Sequence, residues 1–155
     1  MRRLTVLLTL LGAACGRGAA GPQTPVPQSV NAALEQFLTA VKANDLSRMG
    51  ALWGTDRGPA SQWMKSAELR QRLAVIQKYL DHAGYRIVEG PLAVPSRSDL
   101  RTYRVSLQRA GGCNQVVQID VVRTRSGGWL VFDPHLESAG NPAVRCRPAG
   151  SGTRP

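Results

Sequence analysis

The chain is poor in the residues on which most chemistry depends. It has two histidines and three cysteines among 155 residues, and aromatic side chains make up only 5% of it. Cysteines without a CxxC pair or nearby histidines make a poor metal site, so no metal is expected. No Walker loop, GxSxG, HExxH or dinucleotide fingerprint is present, which argues against nucleotide use and the common hydrolase chemistries. No cofactor is expected. Acidic residues are scarce as well, 10 against 20 Lys and Arg, for a net charge of +10. The apolar run at residues 4–14 falls well short of the ~20 residues that a membrane-spanning helix needs. What is abundant is ordinary apolar residue, 43% of a chain whose length suits one domain with tails.

The N-terminus reads MRRLTVLLTLLGAAC: Arg2 and Arg3, an apolar stretch, then small residues before Cys15. That order is the pattern of an export signal. It resembles a bacterial lipoprotein signal, with Gly12 where the family prefers leucine and the leucine one step earlier at Leu11. The resemblance implies removal of residues 1–14, acylation of Cys15, and a lipid-anchored place in the cell envelope, facing the periplasm or the exterior. Gly16 in place of aspartate slightly favours the outer membrane. The rival is an ordinary secretory peptide with Cys15 incidental. If Cys15 is lipidated, Cys113 and Cys146 remain, and an oxidising compartment favours a disulfide between them. It would close a loop of about 34 residues, worth roughly 3–4 kcal/mol by chain entropy. Two free thiols are the alternative.

Residues 15–28 are rich in Gly, Ala and Pro and read as the lipid anchor and a flexible tether. Ser29 is a plausible N-cap for a helix to Ala43, with Val30, Leu34, Phe37, Leu38 and Val41 on one stripe. Asp45 can cap a second, short helix that stops at Gly54. A third helix is expected over 64–82, where Leu69, Leu73, Ile76 and Leu80 are spaced for one face. From Tyr85 the period changes to two, with strands expected at 85–93, 101–109, 115–125 and 129–133. Helices followed by a run of strands predict an α+β fold, N-terminal helices packed on a curved antiparallel sheet. Residues 138–155 read as a disordered basic tail.

The run AALEQFLTAVKANDLSRMGALWG and the ending VVQIDVVRTRSGGWLVFD resemble the opening and the closing hairpin of nuclear transport factor 2-like (SnoaL-like) domains. The resemblance covers about residues 29–135, within a domain expected over 29–137. It implies a cone-shaped, cystatin-like sheet wrapped around helices, with a cavity at the wide end. The superfamily includes isomerases, dehydratases and many non-enzymatic modules, so the fold alone gives no function.

One constellation follows from register. If Gly111–Gly112–Cys113 is a three-residue turn, Leu107 opposes Val117, Val105 opposes Ile119 and Tyr103 opposes Val121, all on one face. Arg104 then opposes Asp120. A Ser126–Gly127 turn sets Asp120 opposite Asp133, giving a row Arg104, Asp120, Asp133 with His135 two residues beyond. Two carboxylates beside one arginine could hold a shared proton or a cationic ligand, because close like charges raise a carboxyl pKa. The resemblance implies that His135 could serve as a general acid or base. The plainer reading is a solvated face with a cross-strand ion pair. His82 at a helix end reads as a C-terminal cap, a position where the dipole favours a cation. Trp63 and Met64, between loop and third helix, are the pair placed to border a cavity mouth.

The leading expectation is therefore a membrane-anchored binding or interaction module without catalytic activity. It would take an envelope protein or a small apolar ligand, and a homodimer stays open. The alternative is an acid–base isomerase or dehydratase acting on a small hydrophobic carbonyl compound through Asp120, Asp133 or His135. The charge does not point to nucleic acid. Arg2, Arg3 and Arg17 lie before the domain and Arg145, Arg147 and Arg154 after it, leaving about +4 for the domain itself.

Overall fold

A computed structural model of the protein describes residues 25–144. Cys15, Cys146 and the flanking segments lie outside the described residues. The chain order is α1 (Val30–Lys42), α2 (Leu46–Leu52), β1 (Gly54–Thr55), β2 (Gly58–Pro59), α3 (Ser66–Leu80), β3 (Gly84–Val94), β4 (Arg97–Gln108), β5 (Asn114–Arg123) and β6 (Trp129–Asp133). Short 3-10 turns at Ala60–Gln62 and Leu136–Ala139 complete it. Ser29 caps α1 by accepting from the Ala32 amide at 3.2 Å, and Asp45 caps α2 by accepting from Arg48 at 2.9 Å. Asn44, in the left-handed conformation at φ 52°, makes the break between the two helices.

Strands β3–β6 form one antiparallel sheet in chain order. The fold is α+β, with the helices on one sheet face. Ala33, Leu34, Phe37, Leu38 and Val41 of α1 share a buried cluster with Met49, Leu52, Leu73 and Leu80 from the other helices and Tyr103, Val105, Leu107, Val117, Ile119 and Val121 from the sheet. Tyr103 is fully buried, and its hydroxyl donates to the Asn31 side chain. Burial, with Glu35 nearby, pushes that hydroxyl up to about 12, so it stays a donor. A smaller apolar cluster of Leu100, Val122 and Leu130, joined by Val26, Val94 and Phe132, covers part of the other face.

Two details differ from the sequence reading. Strand β4 starts at Arg97 and not at 101, because Pro95–Ser96 alone makes the turn that sets Val94 opposite Arg97. The β4–β5 turn holds five residues, 109–113: Gly112 donates to the Arg109 carbonyl at 3.1 Å and Arg109 to that of Cys113 at 2.8 Å. Gly111 and Gly112, at φ 100° and 84°, carry that turn. The pairing therefore lies two residues from the three-residue-turn register. Val105 opposes Val117, Tyr103 opposes Ile119, Leu107 opposes Gln115, and Arg104 opposes Gln118. A shift of two keeps every side chain on its expected face but changes its partner.

The chain enters the domain at one end of the sheet. The Pro27 carbonyl accepts from the Trp129 amide at 2.8 Å, and Pro27 is buried. A Cβ on Gly128 would lie 2.5 Å from Val26 Cγ1, so glycine there lets the entering strand lie flat against the β5–β6 hairpin. Residues 25–28, read from sequence as tether, thus lie against the domain.

Candidate functional site

The sheet face away from the helices brings together three of the residues singled out above. Asp120 opposes Thr102 on β4 and Asp133 on β6, so Arg104 is not beside it. Arg104 reaches Glu89 on β3 instead, at 3.4 Å, with both side chains about half exposed. The Asp120–Asp133 pairing survives the altered geometry because a bulge between Asp120 and Val121 offsets β6 by one residue. Asp120 is buried, 8% exposed, and accepts from the Thr102 hydroxyl at 2.7 Å.

His135 completes the cluster by a route that strand alternation does not give. The Asp133 carboxylate accepts from the His135 amide at 2.9 Å, and His135 takes the left-handed conformation, φ 39° and ψ 61°. That reversal swings its ring back over the sheet. Nε2 lies 3.0 Å from Asp120 Oδ2 and Nδ1 lies 2.9 Å from Glu137 Oε1. The Gln118 amide sits 3.2 Å from the same Nε2. Burial pulls the imidazole pKa down, but hydrogen bonds to Asp120 and Glu137, with the charges of Asp133 and Asp120, outweigh it and leave it raised. Ser138 ties the following turn to the sheet: its hydroxyl donates to the His135 carbonyl at 2.7 Å and accepts from the Gln118 amide at 3.0 Å.

Chemically, the arrangement is a histidine held through both ring nitrogens by carboxylates. A general acid or base needs a ring nitrogen within reach of substrate. Here each nitrogen faces a carboxylate, so the ring bridges β5, β6 and the 3-10 turn at Leu136–Ala139, and its raised pKa favours the charged form. One oxygen of Asp133 accepts from the backbone turn. Among the described residues no group of three or more His, Cys, Asp or Glu could hold a metal ion.

His82 also departs from its reading as a cationic cap. It is 5% exposed, its Nδ1 donates to the Leu80 carbonyl at 2.9 Å, and its ring stands edge-on to Tyr85. Its Nε2 is buried with no hydrogen-bond partner, and burial pulls its pKa down, so the ring is neutral. It caps a helix carbonyl without charge.

Trp63 is 54% exposed, with its indole N–H donating to the Gly58 carbonyl at 3.4 Å, and Met64 is half-buried beside it. A concavity among the described residues lies elsewhere and includes neither. It is an open groove of about 670 Å³ at the end of the sheet formed by the β4–β5 turn, bordered by Lys78, Asp81, Arg109, Asn114, Ala139 and Val144. Arg109 builds its floor, donating to the Asp81 carbonyl at 2.6 Å and the Ala139 carbonyl at 3.0 Å. Burial lowers its pKa, yet a guanidinium remains charged. Cys113 also borders the groove, while its expected partner Cys146 is outside the described residues. Sequence reasoning missed this groove because its walls come from three element ends that no local pattern joins.

No family model matches the chain, and no curated protein matches it. Among solved structures it is similar to a protein from Campylobacter jejuni described as a "putative NTF2-like transpeptidase". The two share 14% identity over 68% of this chain and 99% of the other, with a TM-score of 0.44.

Proposed function

We propose that this chain is a membrane-anchored, extracytoplasmic binding module without catalytic activity, of the nuclear transport factor 2-like kind, held at the envelope through acylated Cys15. The observation that supports it best is the closed state of the histidine. Both ring nitrogens of His135 lie against Asp120 and Glu137, and one Asp133 oxygen accepts from the backbone, which favours a structural role for the three. The groove supplies the binding surface. It combines the charges of Lys78 and Asp81 with apolar Ala139 and Val144, a mixture suited to a peptide or protein segment of the envelope. A Cys113–Cys146 disulfide would brace its rim. Isomerase or dehydratase chemistry remains the second reading, because Asp120 and His135 do lie 3.0 Å apart.

The two readings separate by mutation. The chain is purified from envelope membranes in mild detergent, and what it retains is identified by mass spectrometry. Filling the groove with Asn114→Trp and reversing Lys78→Glu should cut retention about tenfold or more, the effect of spoiling an interface centre. Asp120→Asn and His135→Asn should leave retention unchanged. Loss of retention in the latter two, with the groove variants unaffected, sinks the binding-groove reading.

A further inference from the structure

The two ends of the sheet are unlike, and the difference has a direction. Strand β4 runs from Arg97 to Gln108, about 36 Å at the usual rise per residue. At its Gln108 end lie the five-residue turn and the groove. At its Arg97 end lie the β3–β4 and β5–β6 hairpins, and there the entering chain is fixed by the Pro27–Trp129 hydrogen bond. The tether thus emerges at the end opposite the groove.

That same end is basic. Arg97 and Arg101 come from the start of β4, Arg123 and Arg125 from the β5–β6 hairpin, and Arg57 from the turn between β1 and β2. The β1–β2 turn belongs to this end because the Arg125 amide donates to the Asp56 carbonyl at 2.9 Å and the Arg125 guanidinium pairs with the Asp56 carboxylate at 2.8 Å. Arg97 is likewise neutralised by Asp99 at 2.8 Å. The other three are not neutralised. Arg101 donates to the Ser98 and Leu100 carbonyls and lies over the Trp129 ring, 5.8 Å from its centroid. Arg57 and Arg123 are exposed and have no ion-pair partner among the described residues. Trp129 adds a partly buried amphipathic ring within this rim, the side chain favoured where a surface meets headgroups.

We infer that this arginine-bearing end of the sheet is a docking face for anionic lipid headgroups, which seats the domain on its own membrane with the groove facing away. The inference rests on the anchored reading of the chain. Nine residues lie between Cys15 and Pro25, ten residue steps with a reach of at most about 35 Å, so the basic end is the part of the domain that the tether holds nearest the bilayer. At that range fixed cations meet an anionic surface within a Debye length only when the face is turned toward it, and Arg57, Arg101 and Arg123 then act together.

The test uses the mature chain from residue 15 with Cys15→Ser, which carries no acyl group. Its binding is measured to phosphatidylcholine vesicles with and without about 30% phosphatidylglycerol, over a salt series. Expected are binding to the anionic vesicles alone, loss at high salt, and about 25-fold weaker binding for Arg57→Gln with Arg123→Gln, near fivefold per arginine. Neutralising Arg145, Arg147 and Arg154 in the tail should change it by less than about twofold. Equal binding to both vesicles, no binding, or dependence on the tail arginines alone overturns the inference. Tighter arginine-dependent binding to a free anionic polysaccharide than to vesicles overturns it too. Unaltered circular dichroism keeps the double variant interpretable. A failure here leaves the anchor intact, since the anchor is read separately from fractionation of the acylatable chain.

Discussion

Phe37→Ala lowers the free energy of unfolding by about 3–5 kcal/mol, the usual cost of truncating a buried phenylalanine. Phe37 is one of two phenylalanines in the chain and is fully buried. It sits on the α1 stripe with Leu34, Leu38 and Val41, in the cluster that also holds Tyr103, Val105 and Ile119 of the sheet. Removing its ring leaves a void bounded by side chains from both layers, and neither layer can close it without giving up other contacts. Against a total stability of about 5–15 kcal/mol the loss is large. Urea unfolding measures it, with Val88→Ala as the comparison. Val88 is 47% exposed, so its truncation should stay within about 0.5 kcal/mol. A loss below about 1 kcal/mol for Phe37→Ala would mean that α1 does not pack on the sheet as described.

Cys15→Ser moves the protein from the membrane to the soluble fraction. Stable anchoring takes more than one acyl chain, each buried methylene adding about 0.8 kcal/mol, and a lipidated N-terminal cysteine supplies them at a single residue. None of the described helices is long and apolar enough to cross a membrane, and arginine contacts to headgroups are released by salt, so the fractionation is done at high salt. The measurement is detergent phase partition, together with the intact mass of the mature chain. Cys15→Ser is exported behind a conventional cleavable signal, so that the hydrophobic leader itself cannot retain it. The natural chain should partition into detergent and carry the mass of its acyl groups, whereas the variant should do neither. A natural chain of unmodified mass in the soluble fraction removes the anchor.

Much of the layout was legible in local pattern. Ser29 and Asp45 accept the amide hydrogen bonds that their positions before apolar stripes imply, and the change of period at Tyr85 marks where helix gives way to sheet. Face assignment was legible too, because alternation survives a register shift of two. Partner assignment was not. It depended on whether the Gly111–Gly112 turn held three residues or five, and the added backbone bonds at Arg109 are a matter of turn geometry. Residues 97–100, Arg-Ser-Asp-Leu, have little strand propensity and join β4 by pairing across the Pro95–Ser96 turn. The His135 clamp lay between these cases. Asp133-Pro134-His135 is a turn-forming run whose aspartate accepts from the backbone two residues on, a signal the strand-alternation reading passed over.

The two histidines bend the pH dependence of stability in opposite senses. His135 has a raised folded pKa, so its stabilisation is complete below its unfolded value near 6.5 and is lost as pH rises through the folded value. His82 has a lowered folded pKa, so its contribution is complete above its unfolded value and is lost as pH falls toward the folded one. The functional reading depends on the first. The most direct measurement is a nitrogen NMR titration of the His135 ring, in the natural chain and in Asp120→Asn. A clamp requires both ring nitrogens to stay protonated as pH rises through the ordinary 6.5, with the titration moving down in Asp120→Asn. A ring that titrates below 6.5 and keeps a bare nitrogen at neutral pH, insensitive to Asp120→Asn, would contradict the clamp and return His135 to the candidates for a general base.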